Sequence, residues 1–198
     1  METDLLTGEK IQLKPATPSD KRMVFEWLTN SNLTQDMLGW PHYPEAKIPT
    51  WEEFEEDYVD HYFDDSSPHS GRCFIIRYRG TAVGQINYNT IDPVTKRTDL
   101  DIWLSDAKYT GKSLGTEAIQ LLCAYLHLSF GCEQILICPS LRNRRAIAAY
   151  EKAGFVLTNL ALEDTAKEYA DQVVLLKYLA SSAEAVKKGK IPPAQPGD

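Results

Sequence analysis

The longest periodic stretch in the chain, Leu114 to Phe130, sets Ala118, Ile119, Leu122, Leu126 and Phe130 at helical spacing and stops at Gly131. A helix with so much apolar surface has to be packed against something, and its neighbours supply the partner. Residues 96–104 read as a strand with Leu100, Ile102 and Leu104 on one face, and residues 134–138 as a short apolar strand. Residues 142–153 then read as a second helix closed by Gly154, followed by strands over 155–160 and 172–179.

The first half carries strands of its own. Over residues 9–14, Ile11 and Leu13 alternate with polar side chains up to Pro15. Residues 73–79 and 82–89 flank Gly80-Thr81 as a hairpin. Ser19-Asp20 is placed to cap a helix over 21–28 that buries Met23, Phe25 and Leu28. Thr50-Trp51-Glu52-Glu53 has the form of a capping box, opening a helix that shows Trp51, Phe54, Tyr58, His61 and Tyr62 on one side. Between these helices, residues 30–50 hold Pro41, Pro44 and Pro49 with Trp40, His42 and Tyr43, a long irregular connection of the kind that often carries function. This order predicts an α/β (α+β) fold, a mixed and largely antiparallel sheet of about seven strands with helices on both faces. One domain is expected over residues 1–180, and the Lys- and Pro-rich residues 181–198 as a disordered tail.

Composition removes several classes of function. At 198 residues, with 43% apolar and 25% charged side chains, the chain matches one globular domain and not a disordered protein. No apolar run approaches the roughly 18 residues of a membrane helix. The start, Met1-Glu2-Thr3-Asp4, lacks the basic and apolar regions of a secretory signal, so a soluble cytoplasmic protein is expected. A net charge of −7 argues against general nucleic-acid binding, which needs excess Lys and Arg. Cys73, Cys123, Cys132 and Cys138 form no CxxC pair and have no histidine at zinc-finger spacing, and read as buried thiols. His42, His61, His69 and His127 form no metal-like cluster.

Chemistry enters where the 96–104 strand runs into the long helix, through Thr110-Gly111-Lys112-Ser113-Leu114-Gly115-Thr116. Glycines at 111 and 115 let a ligand approach the backbone, and the helix start turns unpaired N–H groups and a positive dipole end toward it, which suits a pyrophosphate. The Gly-Lys-Ser triplet is no P-loop, because that motif needs glycine at 106, where the chain has Asp106. The GxGxxG fingerprint is absent as well, and a plain helix start is the alternative reading. Further on, Asn143 and Tyr150 lie seven residues apart, two helical turns, and so face one groove. A helix cap for Asn143 and core packing for Tyr150 are the plainer readings of each residue alone.

Together, Gly-Lys-Ser-Leu-Gly-Thr at 111–116 and Asn-Arg-Arg-Ala-Ile-Ala-Ala-Tyr-Glu-Lys-Ala-Gly-Phe at 143–155 resemble the GNAT superfamily of N-acetyltransferases. The resemblance covers roughly residues 10 to 179 and is most specific over 97 to 155. The second segment is most similar to that of the bacterial aminoglycoside 6'-N-acetyltransferases, with spermidine and ribosomal-protein acetyltransferases as relatives. The family loop reads Gln/Arg-x-x-Gly-x-Gly/Ala. Here Thr110 replaces the leading Gln/Arg and Ser113 the middle Gly, which removes one cationic contact and one flexible position.

The resemblance implies acetyl-CoA as co-substrate, without a metal, in a V-shaped opening between strands 96–104 and 134–138. Its pantetheine arm would bond the backbone of Ile102, Trp103 and Leu104 like an added strand, and one N–H there would hold the oxyanion. The pyrophosphate would sit on Thr110, Gly111, Lys112, Ser113, Leu114, Gly115 and Thr116. Asn143 would lie near the pantetheine, and Tyr150 would protonate the departing thiolate as general acid.

The acceptor amine is mostly protonated at neutral pH and needs a base. Asp101 looks like the acid that serves this purpose in the aminoglycoside enzymes, and Asp99, on the same face of the strand, is the reserve. Residues 52–65 hold Glu52, Glu53, Glu55, Glu56, Asp57, Asp60, Asp64 and Asp65 with no Lys or Arg. They form either a rim that attracts a polycation or a solvated helix face. Trp40, Trp51, Tyr43 and Tyr58 read either as a platform for a cation or sugar or as pins for the long loop. Asp164 and Glu168 are placed to reach a substrate from the far side. The expected partner is a small-molecule amine, aminoglycoside-like first, with no nucleic acid and no membrane, and the oligomeric state stays open. A polyamine or protein N-terminal acceptor is the alternative, and a non-catalytic acyl-CoA sensor the reading from another class.

Overall fold

The computed structural model describes residues 5–38, 48–160 and 172–179. Trp40, Pro41, His42, Tyr43, Pro44, Asp164, Glu168 and the 181–198 tail lie outside the described residues. Among the described residues eight strands form one sheet in the order β1-β2-β3-β4-β5-β6-β8-β7. They are β1 (Leu6–Thr7), β2 (Ile11–Pro15), β3 (Arg72–Tyr78), β4 (Thr81–Tyr88), β5 (Arg97–Leu104), β6 (Gln134–Ile137), β7 (Val156–Thr158) and β8 (Val174–Tyr178). The sequence reading lacked β1, whose two residues are too few to show a period. They pair with Leu13 and Gln12 across a turn closed by the Gly8 N–H on the Ile11 carbonyl, at 2.9 Å.

Every neighbouring pair is antiparallel except β5 and β6, and that exception shapes the molecule. These two run together for Arg97↔Gln134, Thr98↔Ile135 and Asp99↔Leu136, and then part. Beyond Asp99, β5 stays with β4 in the register Tyr88↔Leu100 to Gly84↔Leu104. From Gln134 to Ile137, β6 stays with β8. The sheet therefore opens into a V with its apex near Asp99.

Helices cover both faces. Helix α5 (Leu114–Phe130) lies on one face as the periodicity predicts, burying Leu114, Ala118, Ile119, Leu122, Cys123 and Leu126 against Ile11, Leu13, Phe74, Ile76 and Leu100. Helix α6 (Arg144–Lys152) joins the same core through Tyr150, and Thr116 Oγ1 donates to the Ala149 carbonyl at 3.3 Å to tie the two helices. On the other face, α1 (Lys21–Thr29), α3 (Trp51–Asp57) and α4 (His61–Asp64) pack Val24, Phe25, Phe54 and Phe63 on Cys73, Ile75 and Trp103. A short α2 (Thr34–Leu38) follows α1.

Two local expectations are corrected. The cap expected from Ser19-Asp20 is a 3-10 turn, Pro18–Asp20, begun by Thr17, whose N–H donates to Asp20 Oδ2 at 2.8 Å. The box at Thr50 and Glu53 does form, but its helix ends at Asp57 because Tyr58 leaves helical geometry at φ −98° and ψ 68°. The aromatic side survives the break: Trp51 stacks on Phe54, Phe54 on Tyr58 at 4.6 Å between centroids, and Tyr58 tilts onto Tyr62. Trp51 and Tyr58 thus pin this face to the second core, and Tyr58 borders a cavity as well.

Candidate active site

The parting of β5 and β6 leaves one edge of β5 beyond Asp99 without a strand partner among the described residues. Asn89 N–H donates to the Asp99 carbonyl at 3.1 Å and Ser105 N–H to the Val83 carbonyl at 2.9 Å, so odd-numbered residues of β5 turn their backbone groups to β4. A Cβ on Gly84 would collide with the carbonyl of Trp103, which therefore also faces β4. By alternation Leu100, Ile102 and Leu104 direct N–H and C=O into the opening. Of the three backbones expected to meet an extended ligand arm, Ile102 and Leu104 are turned toward it, and Trp103 is turned away.

A cleft of about 280 Å³ runs from this edge to the start of α5. Its walls include Ile102, Trp103, Leu104, Thr110, Gly111, Ser113, Leu114, Gly115, Thr116, Asn143 and Tyr150. Lys112 is exposed and not among those lining residues, and its Nζ lies 5.9 Å from the Tyr109 ring centre. The loop depends on left-handed backbone at two positions. Gly111 has φ +71°, and Ser113, the residue before α5, has φ 65° and ψ 12°. Where the family has glycine, this chain forces a serine into a conformation that costs an L-residue about 1–2 kcal/mol. Gly115 differs: a Cβ there would meet only Ile102 Cδ1, at 3.7 Å. A Cβ at 115 is therefore in ordinary contact distance only, and Gly115 lines the cleft.

Asn143 holds both of its readings. Its Oδ1 accepts from Ala146 N–H at 3.1 Å as the cap of α6, and the residue lines both the cleft and a second cavity. That cavity, of about 400 Å³, is bordered by Asp57, Tyr58, Asp101, Trp103, Cys138 and Tyr150. The two spaces share Met37, Ile102, Trp103, Asn143 and Tyr150. Tyr150 thus stands at the junction, and Asp101, also expected from the sequence, borders the second cavity with it.

Electrostatics at the junction follow from burial. Asp101 Oδ2 accepts from Asn89 Nδ2 at 3.1 Å and Asn87 Nδ2 at 3.3 Å, and Asn89 Nδ2 also donates to Asp99 Oδ2 at 2.5 Å. Tyr62 Oη donates to Asn89 Oδ1 at 2.8 Å, which orients that amide. Burial, and then the charge of Asp99, push the Asp101 carboxyl up to about 6, against the pull of the two amides. Asp99 is itself raised by burial. Burial, then the charges of Asp101 and Cys138, hold the Tyr150 phenol well above the ordinary tyrosine range. A carboxyl raised toward neutrality and a phenol that stays protonated thus border the same cavity.

Of the acidic stretch, Asp57 alone among the described residues lines this cavity, while Glu52, Glu55, Glu56, Asp60 and Asp64 are exposed. The run is chiefly a solvated face. Sequence reasoning missed Asn87 and Asn89, which hold Asp101, and Leu33, Asp36, Tyr109 and Arg145 in the cleft wall. The alternation of Gln85, Asn87 and Asn89 was a usable signal, because polar residues at period two in a buried strand need partners. No group of His, Cys, Asp and Glu among the described residues could hold a metal ion, and no helix there is long and apolar enough to cross a membrane.

A model of the acetyltransferase (GNAT) domain matches residues 10–156. The aminoglycoside N(6')-acetyltransferase type 1 of Klebsiella pneumoniae is 28% identical over 161 residues, covering 75% of this chain and 75% of that protein. RimL, a ribosomal L7/L12 alpha-N-protein acetyltransferase solved with coenzyme A, superposes with TM-score 0.69 at 17% identity, over 89% of this chain and 98% of its own. The aminoglycoside acetyltransferase AAC(6')-Ib, solved with paromomycin and acetyl-CoA, gives TM-score 0.68 at 21% identity, over 93% and 100%.

The raised Asp101 carboxyl has a consequence for stability. Because its folded value is about 6 against an ordinary 3.8, the folded state holds the proton that the unfolded chain gives up between those values. The contribution of this carboxyl to stability is fully present below pH 3.8 and is lost as pH rises through 6. Asp101→Asn should therefore raise unfolding free energy at pH 7.5 by up to about 3 kcal/mol, with the gain vanishing near pH 4. Urea titrations at both pH values check this.

Proposed function

The chain belongs to the GNAT acetyltransferase family, and on that premise we propose that it transfers the acetyl group of acetyl-CoA to a primary amine of a cationic small molecule, aminoglycoside-like first. The observation that carries this reading is the junction, where Asp101 and Tyr150 border one cavity that opens into the cleft along β5. The residues fit the co-substrate. Ile102 and Leu104 offer an unpaired strand edge to a pantetheine arm, and residues 111–116 offer backbone donors and open space at Gly115 to a pyrophosphate. Acetyl-CoA, when bound, supplies the activated acyl group.

The acceptor arrives as an ammonium ion. Asp101 binds it by charge and takes its proton, directly or through water, which frees the nitrogen lone pair for attack. Asn87 and Asn89 stabilise the ionised form of Asp101 and fix its orientation. Tyr150, kept protonated by burial, gives its phenolic proton to the leaving thiolate as the C–S bond breaks, and the second proton shed by the attacking nitrogen as the amide forms restores the phenol. Asp57, with the Tyr58 and Trp103 rings, provides a second charge and an apolar wall for a larger cation.

The first experiment measures thiol release from acetyl-CoA over aminoglycosides, polyamines, amino-acid amides and basic N-terminal peptides. Turnover is expected with aminoglycosides, with kcat/KM rising as pH passes through about 6 because only ionised Asp101 accepts a proton. Activity confined to peptides would replace the acceptor class. CoA binding without turnover on any amine would favour a sensor. Tyr150→Phe should lower kcat by about one to three orders of magnitude with little change in the KM for acetyl-CoA, read by steady-state kinetics. Gly115→Val should weaken CoA by about tenfold or more in calorimetry, since Gly115 lines the cleft and a Cβ there meets only Ile102 Cδ1 within 4 Å. The melting temperature, measured alongside, separates lost binding from lost fold.

A further inference from the structure

Residues 32–37 cross the mouth of the cleft and are tied to both of its walls. On the side that follows β5, Asn32 Oδ1 accepts from Ala107 N–H at 2.8 Å, and Asn32 Nδ2 donates to Asp106 Oδ1 at 3.3 Å. On the α6 side, the Asp36 carboxylate is ion-paired with Arg145, and the Asp36 carbonyl accepts from Asn143 Nδ2 at 3.3 Å. Arg145 does more than hold the strap: its Nη1 donates to Thr110 Oγ1 at 3.4 Å, and both Arg145 and Asp36 line the cleft. Its guanidinium therefore reaches from α6 to the one loop position that lacks the cationic or amide side chain of the family pattern.

We propose that Arg145 is a pyrophosphate-binding residue of this chain, supplying from α6 the contact that Thr110 cannot make, and that Asp36 is the anion it holds until a phosphate replaces it. The inference rests on the reading that the cleft takes acetyl-CoA. The Arg145 and Asp36 side chains are 53% and 51% exposed, and an ion pair that open to water contributes little. A pyrophosphate carries more charge, presents acceptors that match the planar guanidinium fork, and is held in addition by the N–H groups at the start of α5. Exchange of partners is therefore downhill. It releases the strap from α6 at the Asp36 carboxylate while Asn32 keeps it fastened to the other wall.

Calorimetric titration with CoA, and with pantetheine, which lacks the pyrophosphate and nucleotide, tests this on the full-length protein. Arg145→Gln should weaken CoA by about ten- to a hundredfold and leave pantetheine within about twofold. Arg145→Lys should recover part of the loss, and the salt dependence of CoA binding should flatten in Arg145→Gln. Asp36→Asn should tighten CoA a few-fold, since the competing anion is gone. Unchanged CoA affinity in Arg145→Gln overturns the inference. So does an equal loss for CoA and pantetheine, which would make Arg145 a prop for the strap. Weaker CoA binding by Asp36→Asn overturns the exchange. Failure of the unaltered protein to bind CoA overturns the cofactor reading and the inference together, a result distinct from the others.

Discussion

An unpaired stretch of backbone inside a folded protein is the constraint on which the rest of this structure depends. Peptide N–H and C=O groups that lose water must find partners. The β5 edge loses its neighbour after Asp99, because β6 follows β8 through Ile137↔Leu175 and does not stay beside it. The following Cys138-Pro139 step helps keep the strands apart, since Pro139 has no N–H with which to continue a ladder. The opening is thus a place where the sheet could take one more strand, and an extended ligand arm is able to make the same hydrogen bonds there. Everything that shapes the ligand's path lies along this edge: Ile102 and Leu104 at its side, the loop to α5 at its outer end, and Tyr150 of α6 across the gap.

The same edge sets the chemistry on the reverse face of β5. Side chains alternate, so the strand that offers Leu100 to the α5 core offers Asp99, Asp101 and Trp103 to the other layer. Two carboxylates on one buried face are costly unless something shares the charge. Asn89, opposite Asp99, spreads one amide over both of them, and Tyr62 fixes the amide from behind. The network lowers the cost without removing it. The remaining cost holds the Asp101 carboxyl up near 6, at the expense of fold stability once it is ionised. It also explains why the broken helix pair α3 and α4 matters, since its aromatic stack delivers Tyr58 and Tyr62 to the asparagines.

What was legible in the sequence follows from how local each signal is. Helix α5 could be read to its ends because its periodicity, its apolar content and Gly131 all agree over one continuous stretch. Tyr150 and Asn143 were legible because two helical turns fix their relation whatever the rest of the chain does. The orientation of Trp103 was not, because it depends on which residues of β4 lie opposite, and register is a long-range fact. Asn87 and Asn89 were missed for the same reason: they acquire meaning only when β4 is laid against β5. The Asn32 and Asp36 contacts join residues 74 to 109 positions apart, and the turn at Asn32 and the five-residue helix α2, which the sequence reading took as part of an irregular connection, are too short to show a period.

The two halves of the site differ in what they are made of, and that difference governs how each can vary. The cleft along β5 works chiefly through backbone: strand edge, left-handed turn and helix start. It tolerates Ser113 for glycine at a cost in conformational energy, and Thr110 for a cation where Arg145 approaches from another helix. The cavity beside it works through side chains, with Asp57, Tyr58, Asp101 and Trp103 each fixed by packing that a single substitution alters. Backbone geometry survives exchange of side chains as long as the strands and the turn keep their shape, whereas a wall built of side chains changes with each replacement. Asp101 belongs to the second half by its contacts and to the first by its strand, so its position is set by the register of β5 on β4 and its surroundings by Asn87 and Asn89.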